Sequence, residues 1–334
     1  MVRACAFLLI AGLFLPGTAR AADSGLALDI PVQCEFGSEC LVQQYVDHDP
    51  GPGWLDYACG RLSYNGHKGT DIRVPDLPAM HRGVPVVAAA PGIVRATRDG
   101  MADVNVREIG GDTVRGREAG NGVVIDHGNG WETQYSHLRR GSVAVRRGQR
   151  VTAGQHLGLI GMSGNAEFPH LEFSVRHDGA VIDPFVGTTA FDSCSDPRQP
   201  LWTQAALNQL GYQPTGGVIA GFATQRPQLA AAQEGQYEAR RLPVTVPALV
   251  FWAQVYGTRP GDVQRIRIEG PDGDVVLDSN DQLDSAKIRW FAFGGRRQPA
   301  EGWRPGPYLG TYTLVRDGKT VVELRRAVVL GGRF

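Results

Sequence analysis

Gly122-Val-Val-Ile-Asp126, the turn Gly128-Asn-Gly130 and Glu132-Thr-Gln-Tyr-Ser-His137 read as strand, tight turn and strand. The same rhythm extends outward in both directions. Val84–Ala90, Gly92–Thr97, His156–Ile160 and Leu171–Arg176 are strand-like, and Pro91-Gly92 and Ser163-Gly164-Asn165 punctuate them. Between Tyr64 and Phe185 no segment has the length and period of a substantial helix, so this part of the chain is expected to be all-β.

The composition agrees. Among 334 residues, 42% are apolar and 20% charged, enough to bury a core in each of two domains. The 44 glycines and 21 prolines make the chain turn-rich without the period of collagen or the charge of a disordered tail. Residues 1–21 read as a secretory signal peptide: Arg3 opens it, Ala6 to Leu15 form a short apolar run, and Ala19-Arg20-Ala21 is a cleavage signature. No later stretch is apolar for long enough to span a bilayer. An exported protein, periplasmic or secreted, is therefore expected. In an oxidising compartment its four remaining cysteines, Cys34, Cys40, Cys59 and Cys194, imply two disulfides. Of the three possible pairings, Cys34–Cys40 with Cys59–Cys194 is preferred, one closing a short loop and the other tying the start of a domain to its end. With Arg3 and Arg20 removed, 32 basic residues face 34 acidic ones, a balance that argues against a nucleic-acid partner.

Beyond Phe185, Trp202 to Leu210 reads as one short helix capped by Thr203, and Gln213 to Gly217 as a linker. Seven strand-like segments follow: Leu242–Val246, Leu249–Val255, Val263–Glu269, Val275–Asp278, Ala286–Phe293, Gly310–Arg316 and Val321–Val329. With the Trp303-x-Pro-Gly-x-Tyr308 stretch they suggest an immunoglobulin-like β-sandwich. The expected organisation is signal peptide 1–21, disulfide-clipped segment 22–60, β domain 61–195, helix and linker 196–217, and sandwich 218–334.

Three histidine segments could carry chemistry: His67-Lys-Gly-Thr-Asp71, Tyr135-Ser-His-Leu138 and Pro169-His-Leu-Glu-Phe173. In a strand, His170 and Glu172 project from one face while Leu171 and Phe173 enter the core on the other. His67 and Asp71 can converge where a loop enters a strand. Together these residues supply nitrogen and oxygen ligands suited to zinc, with imidazoles left over for proton transfer. Each has a plainer alternative: a polar turn held by Asp71, an ordinary strand end at His137, a solvent-facing pair at His170 and Glu172. His127 reads as a structural turn residue, His81, His156 and His177 as surface or packing residues, and His48 is ambiguous.

From Leu62 to Phe185 the sequence resembles the lysostaphin/LytM family of zinc peptidoglycan endopeptidases. The resemblance is carried by His67-x-Gly-x-Asp71, Val87-Ala-Ala-Ala-Pro-Gly-Ile-Val94, Gly120 to Gly130, Tyr135-Ser-His-Leu138, the glycine-rich stretch Val151 to Gly164, and Pro169-His-Leu-x-Phe173. It implies a compact antiparallel sheet with a groove floored by one Zn²⁺, His67 and Asp71 as ligands, and His137 and His170 as the unligated pair that handles protons and the oxyanion. Tyr135 and Asn65 would line the substrate groove, and residues 34–58 would cover it. The substrate would be stem peptides or cross-links of peptidoglycan, with the sandwich free to contact another cell-envelope protein.

One position departs from the family pattern. The third ligand there is a histidine in His-x-His; this chain has Glu172. Two carboxylates and one imidazole make the site formally neutral with Zn²⁺, so a bound water is acidified less. Two functions follow: a zinc endopeptidase of the cell wall, or a weakened or inactive homologue that binds peptides or regulates other wall hydrolases.

Overall fold

The computed structural model describes residues 25–187 and 198–331. The expected signal peptide and Cys194, hence the Cys59–Cys194 pairing, lie outside them. The Cys34–Cys40 disulfide is present.

The first half is built on one antiparallel sheet. Its strands are β1 (Leu41–Gln44), β2 (Thr70–Arg73), β4 (Gly92–Arg98), β5 (Asn121–Gly128), β6 (Trp131–Leu138), β7 (Arg150–Val151), β9 (His170–His177) and β10 (Ala180–Ile182). They lie in the order β1-β2-β9-β6-β5-β4-β7, and β10 extends the β2 side of β9. A separate pair, β3 (Pro85–Val87) with β8 (His156–Leu159), packs beside it. Helices here are short: α1 (Leu77–Arg82), capped by Asp76, and α2 (Val106–Ile109). On the sheet's inner face Ile72, Val123, Ile125, Tyr135, Leu171 and Phe173 are fully buried. Strand alternation leaves the opposite face of β2 and β9 to polar residues.

Residues 22–60 were expected to precede this domain as an irregular segment, part of it covering the groove. Residues 41–46 instead complete the domain: β1 pairs with β2, and Tyr45 and Val46 are buried. Tyr45 packs edge-on against Tyr57 and Phe185, so its apolar bulk belongs to the core. His48 is bonded to Asp183 at 2.7 Å, with both side chains buried, which ties this segment to the far end of the domain.

The helix expected near Trp202 is α3 (Gln204–Gln209), with Thr203 accepting from the Ala206 amide. The second half is a two-sheet β-sandwich, as expected of an immunoglobulin-like module. One sheet is β11 (Gly216–Ala223), β13 (Ala248–Thr258) and β16 (Lys287–Arg297). The other runs β12 (Arg241–Leu242), β18 (Lys319–Leu330), β17 (Gly306–Arg316), β14 (Val263–Glu269), β15 (Val275–Gln282). Phe222, Leu249 and Phe251 from the first meet Ile268, Tyr312 and Leu314 from the second in one core. The strand expected over Leu242–Val246 shrinks to two residues, because Pro243 cannot donate to the ladder. β11 was read in part as linker. Its glycines are packing sites: a Cβ at Gly221 would meet the Trp252 ring at 2.7 Å. Between its strands lies the short α4 (Leu229–Gln233).

The two halves share contacts. Tyr256 of β13 is buried within the first domain's core, and the Glu167 carboxylate pairs with Arg289 of β16.

Candidate active site

Register brings the polar residues together. In the antiparallel β2–β9 pair, Asp71 stands directly opposite Glu172 and Arg73 opposite His170, while β6 places Ser136 opposite Glu172. Residues directly opposite share a face, so two carboxylates point the same way from adjacent strands. Like charges in that position are destabilising unless something positive lies between them.

His67 enters from the loop before β2. Gly66, with φ 76°, makes the turn that precedes it. Gly69 lets the loop cross Glu172 closely, since a Cβ there would lie 2.7 Å from Glu172 Cγ. His137 arrives by a different route. By alternation it should follow Tyr135 into the core. Instead a bulge opposite β5 and a φ of 62° at His137 itself reverse its direction and put the imidazole on the polar face.

Three imidazoles are oriented in the same way. His67 Nδ1 donates to the Tyr45 carbonyl (2.8 Å), His137 Nδ1 to Ser163 (2.7 Å) and His170 Nδ1 to Phe168 (2.8 Å). A carbonyl only accepts, so each Nδ1 carries the proton and each Nε2 is turned to the carboxylates. His67 Nε2 lies 3.1 Å from Asp71 Oδ1 and 3.8 Å from Glu172 Oε1. His137 Nε2 is 3.3 Å from Glu172 Oε2, and His170 Nε2 is 3.7 Å from Asp71 Oδ1. His137 and His170 rings sit 4.6 Å apart. His67, Asp71, His137 and His170 are buried, and Glu172 is the most open of the set, with its side chain 18% exposed.

Among these side chains alone, burial opposes charge and neighbouring carboxylates restore it. Burial works against the His67 imidazolium, but the charge and hydrogen bond of Asp71 outweigh it and raise His67 to about 9. His170, where burial dominates over Asp71, is pushed down to about 4. Glu172 raises His137 against its burial. Asp71 and Glu172 are held below the usual carboxylate range in spite of burial, Asp71 mainly by His67 and Glu172 mainly by His137.

Among the described residues, no three His, Cys, Asp or Glu side chains are already drawn around one point as ligands. The donors form a net of ion pairs. Their chemistry nonetheless fits a divalent cation: Nδ1–H groups fixed by backbone carbonyls are the usual second layer of histidine ligands, and the facing carboxylates need a positive charge.

Two expected groove residues are elsewhere. Tyr135 is fully buried, with its ring near Phe173 and its hydroxyl accepting from the Ala89 amide at 2.8 Å. It is a core residue, because the alternation that puts Ser136 beside Glu172 on the polar face turns Tyr135 inward. Asn65 is exposed, and its amide donates to the Pro52 carbonyl rather than reaching the histidines. The aromatic at the site is Tyr64, stacked 4.3 Å from the His67 ring and 46% exposed. Sequence reading missed it, although its place three residues before His67 was a usable signal. His127 is structural, as expected, bridging the Pro91 carbonyl and Thr133 Oγ1.

Comparison with known proteins places this region. Residues 65–184 match Peptidase family M23. Peptidoglycan DD-endopeptidase ShyA of Vibrio cholerae is 35% identical over 117 residues, 35% of this chain and 22% of that protein. DD-carboxypeptidase/endopeptidase Mpg of Neisseria meningitidis is 35% identical over 107 residues, 31% of this chain and 22% of that protein. The chain thus spans about a fifth of the length of these curated relatives. A solved putative peptidase M23 from Pseudomonas aeruginosa is 26% identical, covering 48% of this chain and 50% of its own, with a TM-score of 0.30. A zinc containing peptidase from Vibrio cholerae is 27% identical, covering 43% of this chain and 39% of its own, with a TM-score of 0.28. The match at 65–184, together with the motif and the antiparallel sheet on which it lies, shows that this region is a domain similar to Peptidase family M23.

Proposed function

We propose that the protein is an exported zinc endopeptidase that hydrolyses peptide cross-links or stem peptides of peptidoglycan. The observation that carries this reading is the common orientation of His67, His137 and His170, whose Nε2 atoms face Asp71 and Glu172. His67, Asp71 and Glu172 would hold the metal. When bound, Zn²⁺ supplies Lewis-acid polarisation of the scissile carbonyl and acidifies a water. His137 and His170, fixed by Ser163 and Phe168, present Nε2 for accepting the water's proton, delivering it to the leaving amine and hydrogen-bonding the developing oxyanion. Tyr64, exposed over His67, forms part of the surface the peptide meets.

A second reading has its own support. Glu172 lies nearer to His137 (3.3 Å) than to His67 (3.8 Å), so its carboxylate is engaged with a residue needed for proton transfer. That arrangement favours a slow enzyme or a peptide-binding regulator. Incubation of the oxidised protein with purified cross-linked muropeptides, followed by mass spectrometry, separates the two. Chelator-sensitive cleavage supports the endopeptidase; peptide binding without cleavage supports the regulator.

A further inference from the structure

We propose that Arg289, on β16 of the C-terminal sandwich, is a positioning residue of the peptidase site, holding Glu167 and Phe168 and through them His170; the proposal rests on the endopeptidase reading. The residues before His170 form a loop with little ladder of its own. What fixes it comes from outside. The Glu167 carboxylate is shared between Arg107 Nη2 at 2.7 Å and Arg289 Nη2 at 2.9 Å, while its carbonyl accepts from Asn105. The Phe168 ring has two guanidinium groups near it, Arg73 at 4.7 Å and Arg289 at 5.9 Å from its centroid. The same ring packs 4.7 Å from the His170 imidazole, and the Phe168 carbonyl accepts its Nδ1–H. One residue therefore touches His170 twice, and the sandwich holds that residue in place.

The pair is built to persist. Arg289 and Glu167 side chains are 33% and 29% exposed, shielded more than an ordinary surface pair. Arg73 is fully buried, and its hydrogen bonds go to the carbonyls of Val74 and Pro75 and to Gln43, all neutral. Two cations beside one ring are tolerable where Glu167 supplies the compensating charge. The buried Tyr256 anchors the same sandwich in the peptidase core, so Arg289 is delivered from a fixed platform. The C-terminal module is then part of the catalytic unit, with its surface at a set angle to the groove.

The test uses full-length protein with Arg289→Ala, Arg289→Lys and Glu167→Gln, and the Arg289→Ala/Glu167→Gln double variant. Hydrolysis of a cross-linked muropeptide is expected to lose about tenfold in kcat for Arg289→Ala, the scale of a misplaced catalytic group. KM and bound zinc should stay within about twofold, Arg289→Lys should recover part of the loss, and the double variant should be no slower than the slower single one. Independently of activity, the ¹⁵N imidazole signals of His170 in metal-free protein should report one Nδ1–H tautomer in the parent and a mixture in Arg289→Ala. Unchanged kcat and unchanged His170 signals would overturn the proposal, as would a loss that appears only in KM, zinc content or melting temperature. Absence of hydrolysis by the parent with a His170 response to Arg289→Ala would refute the endopeptidase reading and leave the positioning role standing.

Discussion

The two halves of this molecule use charge in opposite ways. In the peptidase domain, His67, Asp71, Arg73, His137 and His170 are all buried; the histidines face the carboxylates of Asp71 and Glu172, while Arg73 is held by neutral carbonyl oxygens and Gln43. In the sandwich the core is apolar and most ion pairs sit outside, as with Arg265–Asp278 and Arg304–Asp272, with the buried Asp262 paired to Arg316 at its margin. Burying ionisable groups is costly unless they are paired or bind a cation. A domain that gathers buried imidazoles and carboxylates in one place is organised around chemistry; one that keeps nearly all its charges in solvent is organised around shape and contact.

That contrast is open to attack. The largest effect should come from Asp71→Ala or His67→Ala, which remove a proposed ligand: bound zinc and hydrolysis should both fall by 100-fold or roughly more, while circular dichroism keeps its β signature. Next is Gly69→Ala. Its added methyl meets Glu172 Cγ at 2.7 Å, so activity should drop and stability should fall by about 1–3 kcal/mol in a denaturant melt. Phe251→Ala, in the sandwich core, should cost about 3–5 kcal/mol and leave the zinc content of the folded fraction unchanged. Glu172→His restores the family's ligand and frees His137; zinc affinity should rise by about tenfold or more, and equal affinity in the two proteins would show that Glu172 already serves as well. The smallest effect belongs to Arg265→Ala, whose exposed pair with Asp278 should be dispensable to melting temperature and activity alike.

How much of this was legible in sequence follows from the same contrast. His67, Asp71, His137, His170 and Glu172 were singled out from residue type and strand alternation, and alternation is enough for His170 and Glu172 because β9 is regular there. It fails for His137, whose positive φ and bulge come from pairing with β5 and are invisible in a short string. For Tyr135 the alternation holds: it lies opposite Val123 and Phe173 and turns inward with them. β11 was hidden for another reason. Gly216-Gly-Val-Ile-Ala-Gly has a linker's composition, and only the large side chains of Leu324 and Trp252 lying over Gly217 and Gly221 explain why glycine is needed in a strand. Tyr45 could not be found at all from local sequence, since its contribution is a backbone carbonyl presented to His67.

The central claim is that the facing carboxylates of Asp71 and Glu172, with His67, hold one metal ion. Elemental analysis of the oxidised protein after extensive dialysis tests it most directly. The account predicts close to one zinc per chain, lost in His67→Ala and in Asp71→Ala. A correctly folded protein that binds no zinc even after loading would contradict it.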